Sequence, residues 1–157
     1  MTCDFQNLDN PNIPTDVCLL DWQLARIGSP ALDLSYFIFT CTDKKLRDKY
    51  YDKMLKTYHY SLCLHLTMLG SDASLFPFEA LEQEMKSSAV GGLYMSIMVL
   101  YLMVSEVSEI PDWTNATTEE EFAESADYQT KNICIYNERA TDVVRDFIRK
   151  GYLDFLL

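Results

Sequence analysis

Two aspartates stand where a carboxylate could do chemistry. Asp21 closes the apolar run Val17-Cys18-Leu19-Leu20 and is followed by Trp22-Gln23. Asp33 follows Gly28-Ser29-Pro30-Ala31-Leu32. A carboxylate at the exit of a strand is a common seat for a hard cation, because Mg²⁺ takes one or two carboxylates and completes its shell with phosphate oxygens and water. Asp33 falls in the first turn of an otherwise apolar helix. An unpaired buried carboxylate there would cost on the order of several kcal/mol, so the sequence predicts backbone N–H partners from a neighbouring loop. Taken singly, Asp21 reads as a turn residue and Asp33 as a partner of the helix dipole; the joint spacing favours a functional pair. There is no Gly-x-x-x-x-Gly-Lys loop, Gly-x-Ser-x-Gly elbow or His-Glu-x-x-His pair. His59 and His65 fall on an amphipathic helix and read as surface or core filler.

The elements that must hold these residues follow from turn chemistry and periodicity. Asn7 to Thr15 carries Asn-Pro and Ile-Pro steps between two strand-like pieces, Thr2 to Phe5 and Val17 to Leu20, which predicts a β-hairpin. Ser29-Pro30 is a capping hydroxyl followed by the proline that suits a first turn, and it opens a central apolar helix over Ala31 to Thr40. A long helix follows from Lys44 to Leu69, with an apolar stripe at Leu46, Tyr50, Met54, Tyr58, Leu62 and Leu66. Its first turns hold Lys44, Lys45, Arg47, Lys49, Lys53 and Lys56; interleaved with Asp43, Asp48 and Asp52, they predict a solvated face. Pro77 opens a helical stretch to Met103, where Gly91-Gly92 marks a kink or a close helix crossing. Val104 to Asp127 holds eight acidic residues and no basic one, which predicts a solvated loop with a short helix over Glu119 to Ser125. The last helix, Tyr128 to Lys150, is amphipathic through Ile133, Tyr136, Ala140, Val143 and Phe147. The fold class is therefore mainly α: a short N-terminal hairpin and a bundle of four or five helices. Two strands alone are marginal in water, so the hairpin lacks a cover within this bundle.

Composition narrows the function. The 157 residues include 13 basic against 24 acidic, a net charge of −11, which argues against a nucleic-acid binder, since phosphates demand a basic footprint. The five cysteines, Cys3, Cys18, Cys41, Cys63 and Cys134, are scattered without a CxxC pair; reduced thiols of a cytoplasmic protein are the expectation, not a disulfide framework or zinc site. Met1 to Asn12 is polar, which predicts no secretory signal. Gly91 to Val104 is the longest apolar run, interrupted only by Ser96. It would span about 20 Å as a helix against about 30 Å of hydrocarbon, so a buried core helix is expected rather than a membrane span.

The segments Leu19-Leu20-Asp21-Trp22-Gln23 and Gly28-Ser29-Pro30-Ala31-Leu32-Asp33-Leu34 resemble the metal-binding and following segments of the ecdysteroid kinase-like (CHK kinase-like) family. These small-molecule kinases are related to choline kinases and aminoglycoside phosphotransferases. The family pattern is an apolar strand, Asp-Phe-Gln, a Gly-Ser-Pro turn and Asp-Leu, so Trp22 replaces the usual Phe. The resemblance implies that residues 1–157 are one partial kinase-like domain, like a kinase C-terminal lobe. Its hairpin and metal-site segment lie in 1–28, its helical subdomain in 29–157 and its acidic loop in 104–127. It further implies that Asp21 holds the Mg²⁺ that bridges ATP phosphates, and that Asp33 hydrogen-bonds and steadies the catalytic loop. That loop, a His-Gly-Asp start with an Asn-Asn pair, is expected upstream of Met1, and the nucleotide lobe with it. No catalytic residue is then assigned within the chain, and ATP and Mg²⁺ are implied for the intact family rather than for this part alone.

The leading expectation is the C-terminal part of a kinase that transfers phosphate from ATP to a hydroxyl of a small molecule, such as a steroid, and that is inactive alone. The alternative is a non-catalytic helical module that binds a small apolar ligand or a partner protein, with Tyr94, Tyr101, Phe76 and Phe78 as candidate contacts. Residues Leu93 to Met103 are otherwise expected to pack a core.

Overall fold

A computed structural model of the chain describes residues 25, 27–110 and 130–154. The expected hairpin, Asp21, and the short helix expected over Glu119 to Ser125 lie outside the described residues. The described residues form five α-helices and two 3₁₀ turns and include no strand. The chain is thus mainly helical, as its periodicity predicts.

Helix α1 (Pro30–Cys41) begins where the Ser-Pro step directs it: the Ala31 N–H donates to Ser29 Oγ at 3.2 Å and Pro30 takes the first helical position. It buries Ala31, Ser35, Ile38, Phe39 and Thr40. Helix α2 (Lys44–Met68) starts on Asp43, whose Oδ1 accepts from the Leu46 N–H at 2.7 Å. A 3₁₀ turn at Ala73–Leu75 then leads to α3 (Phe78–Ser88) and α4 (Val90–Val104). A second 3₁₀ turn, Val107–Glu109, follows α4, and α5 (Ile133–Arg149) closes the described fold.

Two expectations change. The helical stretch from Pro77 to Met103 is two helices, α3 and α4, and its break falls at Ala89, with a 61° bend, rather than at the glycine pair. The glycine pair lies just beyond that bend. Gly92 permits close approach instead: a Cβ on it would lie 2.6 Å from the Tyr36 backbone nitrogen and strike the Ser35 side chain. The crossing of α1 on α4 is thereby lined with small residues, and Thr40 Oγ1 donates across it to Ser96 Oγ at 3.2 Å. The second change is on α2. Its buried stripe is Arg47, Tyr51 and Leu55, one residue on from the predicted register, while Leu46 is 42% exposed. The reason is Arg47, which the basic character of these turns assigned to solvent.

The core joins α1, α2 and α5 through aromatic contacts. Phe39 packs on Phe147 with ring centroids 4.5 Å apart and on Tyr51 at 5.9 Å, and Phe147 meets Tyr152 edge-on at 5.6 Å. Burying each such ring stabilises the fold by about 1.5–3 kcal/mol. On α5 the stripe Tyr136, Ala140, Val143 and Phe147 faces inward as its spacing predicts, though Ile133 is 38% exposed. Among the described residues no single helix is long and apolar enough to cross a membrane.

Candidate functional site

The Gly28-Ser29-Pro30 turn delivers Asp33 to the first turn of α1. Gly28 sits over this helix, and a Cβ there would be in ordinary contact with Leu32 Cδ1 at 3.4 Å. Asp33 is exposed, so the desolvation cost suggested by its apolar neighbours in sequence does not arise. Helix α1 points its carboxylate outward, beside the positive end of the helix dipole. The charge of Asp33 also reaches Tyr58 on α2, whose hydroxyl is pushed above the usual phenol range first by burial and then by that carboxylate. Next to Asp33 on α1, Tyr36 and Phe37 are 37% and 63% exposed, and on the partnering α4 Tyr94 and Met95 are 67% and 38% exposed. The inner faces of α1 and α4 pack together while these outer positions stay open.

Asp21, Trp22 and Gln23 lie outside the described residues, so the pairing of Asp21 with Asp33 rests on sequence. Among the described residues no three His, Cys, Asp or Glu side chains converge to hold a metal ion. Both histidines have local structural partners. His59 donates Nε2–H to the Phe76 carbonyl at 2.8 Å and stacks edge-on to Phe78, while His65 donates Nδ1–H to the Ser61 carbonyl at 2.7 Å. Cys41, Cys63 and Cys134 are free thiols. The four aromatic residues named as ligand contacts do not converge. Tyr101 is buried edge-on to Tyr136, Phe76 and Phe78 surround His59, and Tyr94 is on the surface.

The feature missed in the sequence is a buried ion cluster. Asp146, fully buried on α5, accepts from Arg47 Nε at 2.8 Å and from Arg149 Nη2 at 2.9 Å, with Lys44 Nζ 3.4 Å away. Arg47 Nη1 also donates to the Thr42 carbonyl at 2.6 Å, and its guanidinium lies 5.5 Å over the Phe39 ring. Arg139 donates to the Thr40 carbonyl at 3.1 Å. These cations hold the C-terminal end of α1, whose last carbonyls lack intrahelical partners, so their role in this geometry is to fix the helix that carries Asp33. The available signal was Arg47 in a four-residue row with Tyr51 and Leu55 on α2, and Asp146 between Val143 and Phe147 on the apolar side of α5.

The described part is a mainly helical body with a Ser-Pro-capped helix, an open carboxylate in its first turn and an apolar outer face. Residues 5–71 match the model of the ecdysteroid kinase-like family. The matched stretch is less than half of the chain and contains Asp21, Asp33 and all of α2; over it the chain is similar to that family, as the Asp21 and Asp33 segments suggest. No curated protein and no solved structure matches the chain.

Proposed function

We propose that this chain is the C-terminal-lobe part of a small-molecule kinase that moves the γ-phosphoryl of ATP to a substrate hydroxyl, and that a polypeptide of these 157 residues has no turnover by itself. The observation that carries the reading is the family match over 5–71, which spans both aspartates. In this reading Asp21 is the carboxylate toward Mg²⁺, which when bound neutralises charge on the nucleotide phosphates. Asp33 stands open at the start of α1, placed to accept backbone N–H groups of a catalytic loop. Tyr36 and Phe37 beside it offer an apolar seat for that loop and the lobe it belongs to. The acceptor is a small molecule bearing a hydroxyl, with an apolar steroid as the proposed class. Phosphoryl transfer depends on positioning and charge neutralisation by several groups together, and Asp21 alone supplies one of them. The subdivision into 1–28, 29–157 and an acidic loop at 104–127, and a cytoplasmic location, belong to the same proposal.

The test uses the purified chain with Mg-ATP and a hydroxylated steroid. Absence of turnover is expected, together with weak Mn²⁺ binding, read by electron paramagnetic resonance, that Asp21→Asn removes. Turnover abolished by Asp21→Asn would overturn the claim of inactivity and keep the assignment of Asp21. Metal binding indifferent to Asp21→Asn would overturn the assignment itself.

A further inference from the structure

The outward face of α2 carries a charge pattern that the fold does not use. Arg47, Tyr51 and Leu55 point into the core. On the opposite side, at helical spacings of four, four and three, Lys45, Lys49, Lys53 and Lys56 form one exposed row. None of the four lies within ion-pair distance of a carboxylate among the described residues; Lys49 Nζ rests over the Tyr50 ring at 4.9 Å. The acidic residues interleaved with them are engaged elsewhere. Asp43 caps the helix, and Asp48 pairs with Lys44 and with Arg149. Asp52 remains as the one α2 carboxylate beside the row. The same face then continues into Tyr60, Leu64 and Met68, which are 72%, 47% and 74% exposed. With Asp43 and Asp48 engaged elsewhere, Asp52 alone faces four lysines, and a merely solvated face would not need an apolar continuation.

We propose that this face docks an amphipathic helix of a partner protein, acidic along one half and apolar along the other. The lysine row is about 17 Å long and its steps of about 6 Å match carboxylates placed every fourth residue of a facing helix. The apolar half then covers Tyr60, Leu64 and Met68. The row is one side chain wide on a chain of net charge −11. A broad anionic surface such as a bilayer or a duplex would therefore meet repulsion from the rest of the body, whereas a single helix touches only the row.

The probe is a labelled synthetic helix of about 25 residues, with glutamates at every fourth position in one half and leucines in the other, titrated by fluorescence anisotropy. Saturable binding is expected. It should weaken as NaCl rises from about 0.1 M to about 1 M, because the screening length falls from about 10 Å to about 3 Å. Lys49→Glu with Lys53→Glu should weaken it by about tenfold or more, and the milder Lys49→Gln with Lys53→Gln by less. Lys86→Glu, at an exposed lysine on α3, should leave it unchanged. Unaltered far-ultraviolet dichroism and melting temperature show that the variants are folded. Four results would each overturn the proposal: no binding below about 1 mM peptide, equal binding of a peptide with the halves scrambled, equal or tighter binding of phosphatidylserine vesicles or single-stranded oligonucleotides, or indifference to the lysine reversals. Dimerisation of the free chain through this face, read by light scattering and lost in the double variant, would also overturn it in favour of a second copy.

Discussion

Asp146→Ala is the most informative single change in the fold. It removes the carboxylate that accepts from Arg47 Nε at 2.8 Å and from Arg149 at 2.9 Å, and it leaves Arg47, only 2% exposed, with the Thr42 carbonyl as its remaining acceptor. Removing one partner of a buried ion pair costs about 3–5 kcal/mol, chiefly because a buried charge is left uncompensated. For a chain of this length each kcal/mol shifts the melting temperature by about 2–4 °C, so a loss of about 6–20 °C is expected. The outer arm of the cluster is different. Arg149 and Asp48 have side chains 56% and 43% exposed, so Arg149→Ala should change stability by less than about 1 kcal/mol. The double change Arg47→Leu with Asp146→Leu fills the site with apolar volume and leaves no orphaned charge, and it should be less damaging than either Leu replacement alone. Urea unfolding of the four proteins of that cycle supplies the numbers. An Asp146→Ala loss below about 1 kcal/mol, or a double variant as unstable as the sum of the singles, would refute the reasoning.

Gly92→Ala should be costly, about 1–3 kcal/mol or more, because its Cβ meets the backbone of Tyr36 at 2.6 Å. Gly91→Ala, whose Cβ meets only the flexible end of Leu32 at 2.9 Å, should cost clearly less; thermal melts of the pair decide it. Tyr51→Phe leaves the buried Tyr152 hydroxyl without its 2.6 Å partner and should cost about 1–3 kcal/mol in urea. Glu109 ties the end of α4 to the start of α5, accepting from the Lys131 N–H at 3.0 Å and from Thr130 Oγ1 at 2.8 Å. The Lys131 amide above all holds its carboxyl below the usual glutamate range. A carboxyl with a depressed folded pKa contributes stability above its unfolded value and loses it as pH falls through the folded one. The protection of the Lys131 amide, its exchange rate relative to the intrinsic rate at the same pH, should therefore fall as pH drops below the usual glutamate range, and Glu109→Gln should abolish that acid-induced loss of protection.

Much of the scaffold was legible because local signals agreed with the final packing. Ser29-Pro30 placed the start of α1, and the four-residue rhythm placed α2 almost to its ends, although the capping role of Asp43 emerged only from the structure. The break at Ala89 was not legible, because Ser88-Ala89-Val90 contains no breaker and the conspicuous glycines serve the crossing with α1. The burial of Arg47 was hidden for a similar reason. Amid five lysines it reads as solvent-facing, and only a carboxylate 99 positions away on α5 makes its burial tolerable. Asp33 shows the converse: apolar neighbours in sequence suggested burial, yet the helix turns that position outward together with Tyr36 and Phe37. Its relation to Asp21 is carried by spacing and by the family match.

The central claim is that Asp21 faces nucleotide-bound Mg²⁺ within a two-lobed kinase. Its most direct test joins this chain to the nucleotide lobe and catalytic loop of an active ecdysteroid kinase-like protein and measures phosphate transfer to that protein's own substrate. The account predicts measurable turnover that Asp21→Asn abolishes and that the control Asp9→Asn retains. A folded chimera that binds Mg-ATP and turns over equally well with Asp21→Asn would contradict it.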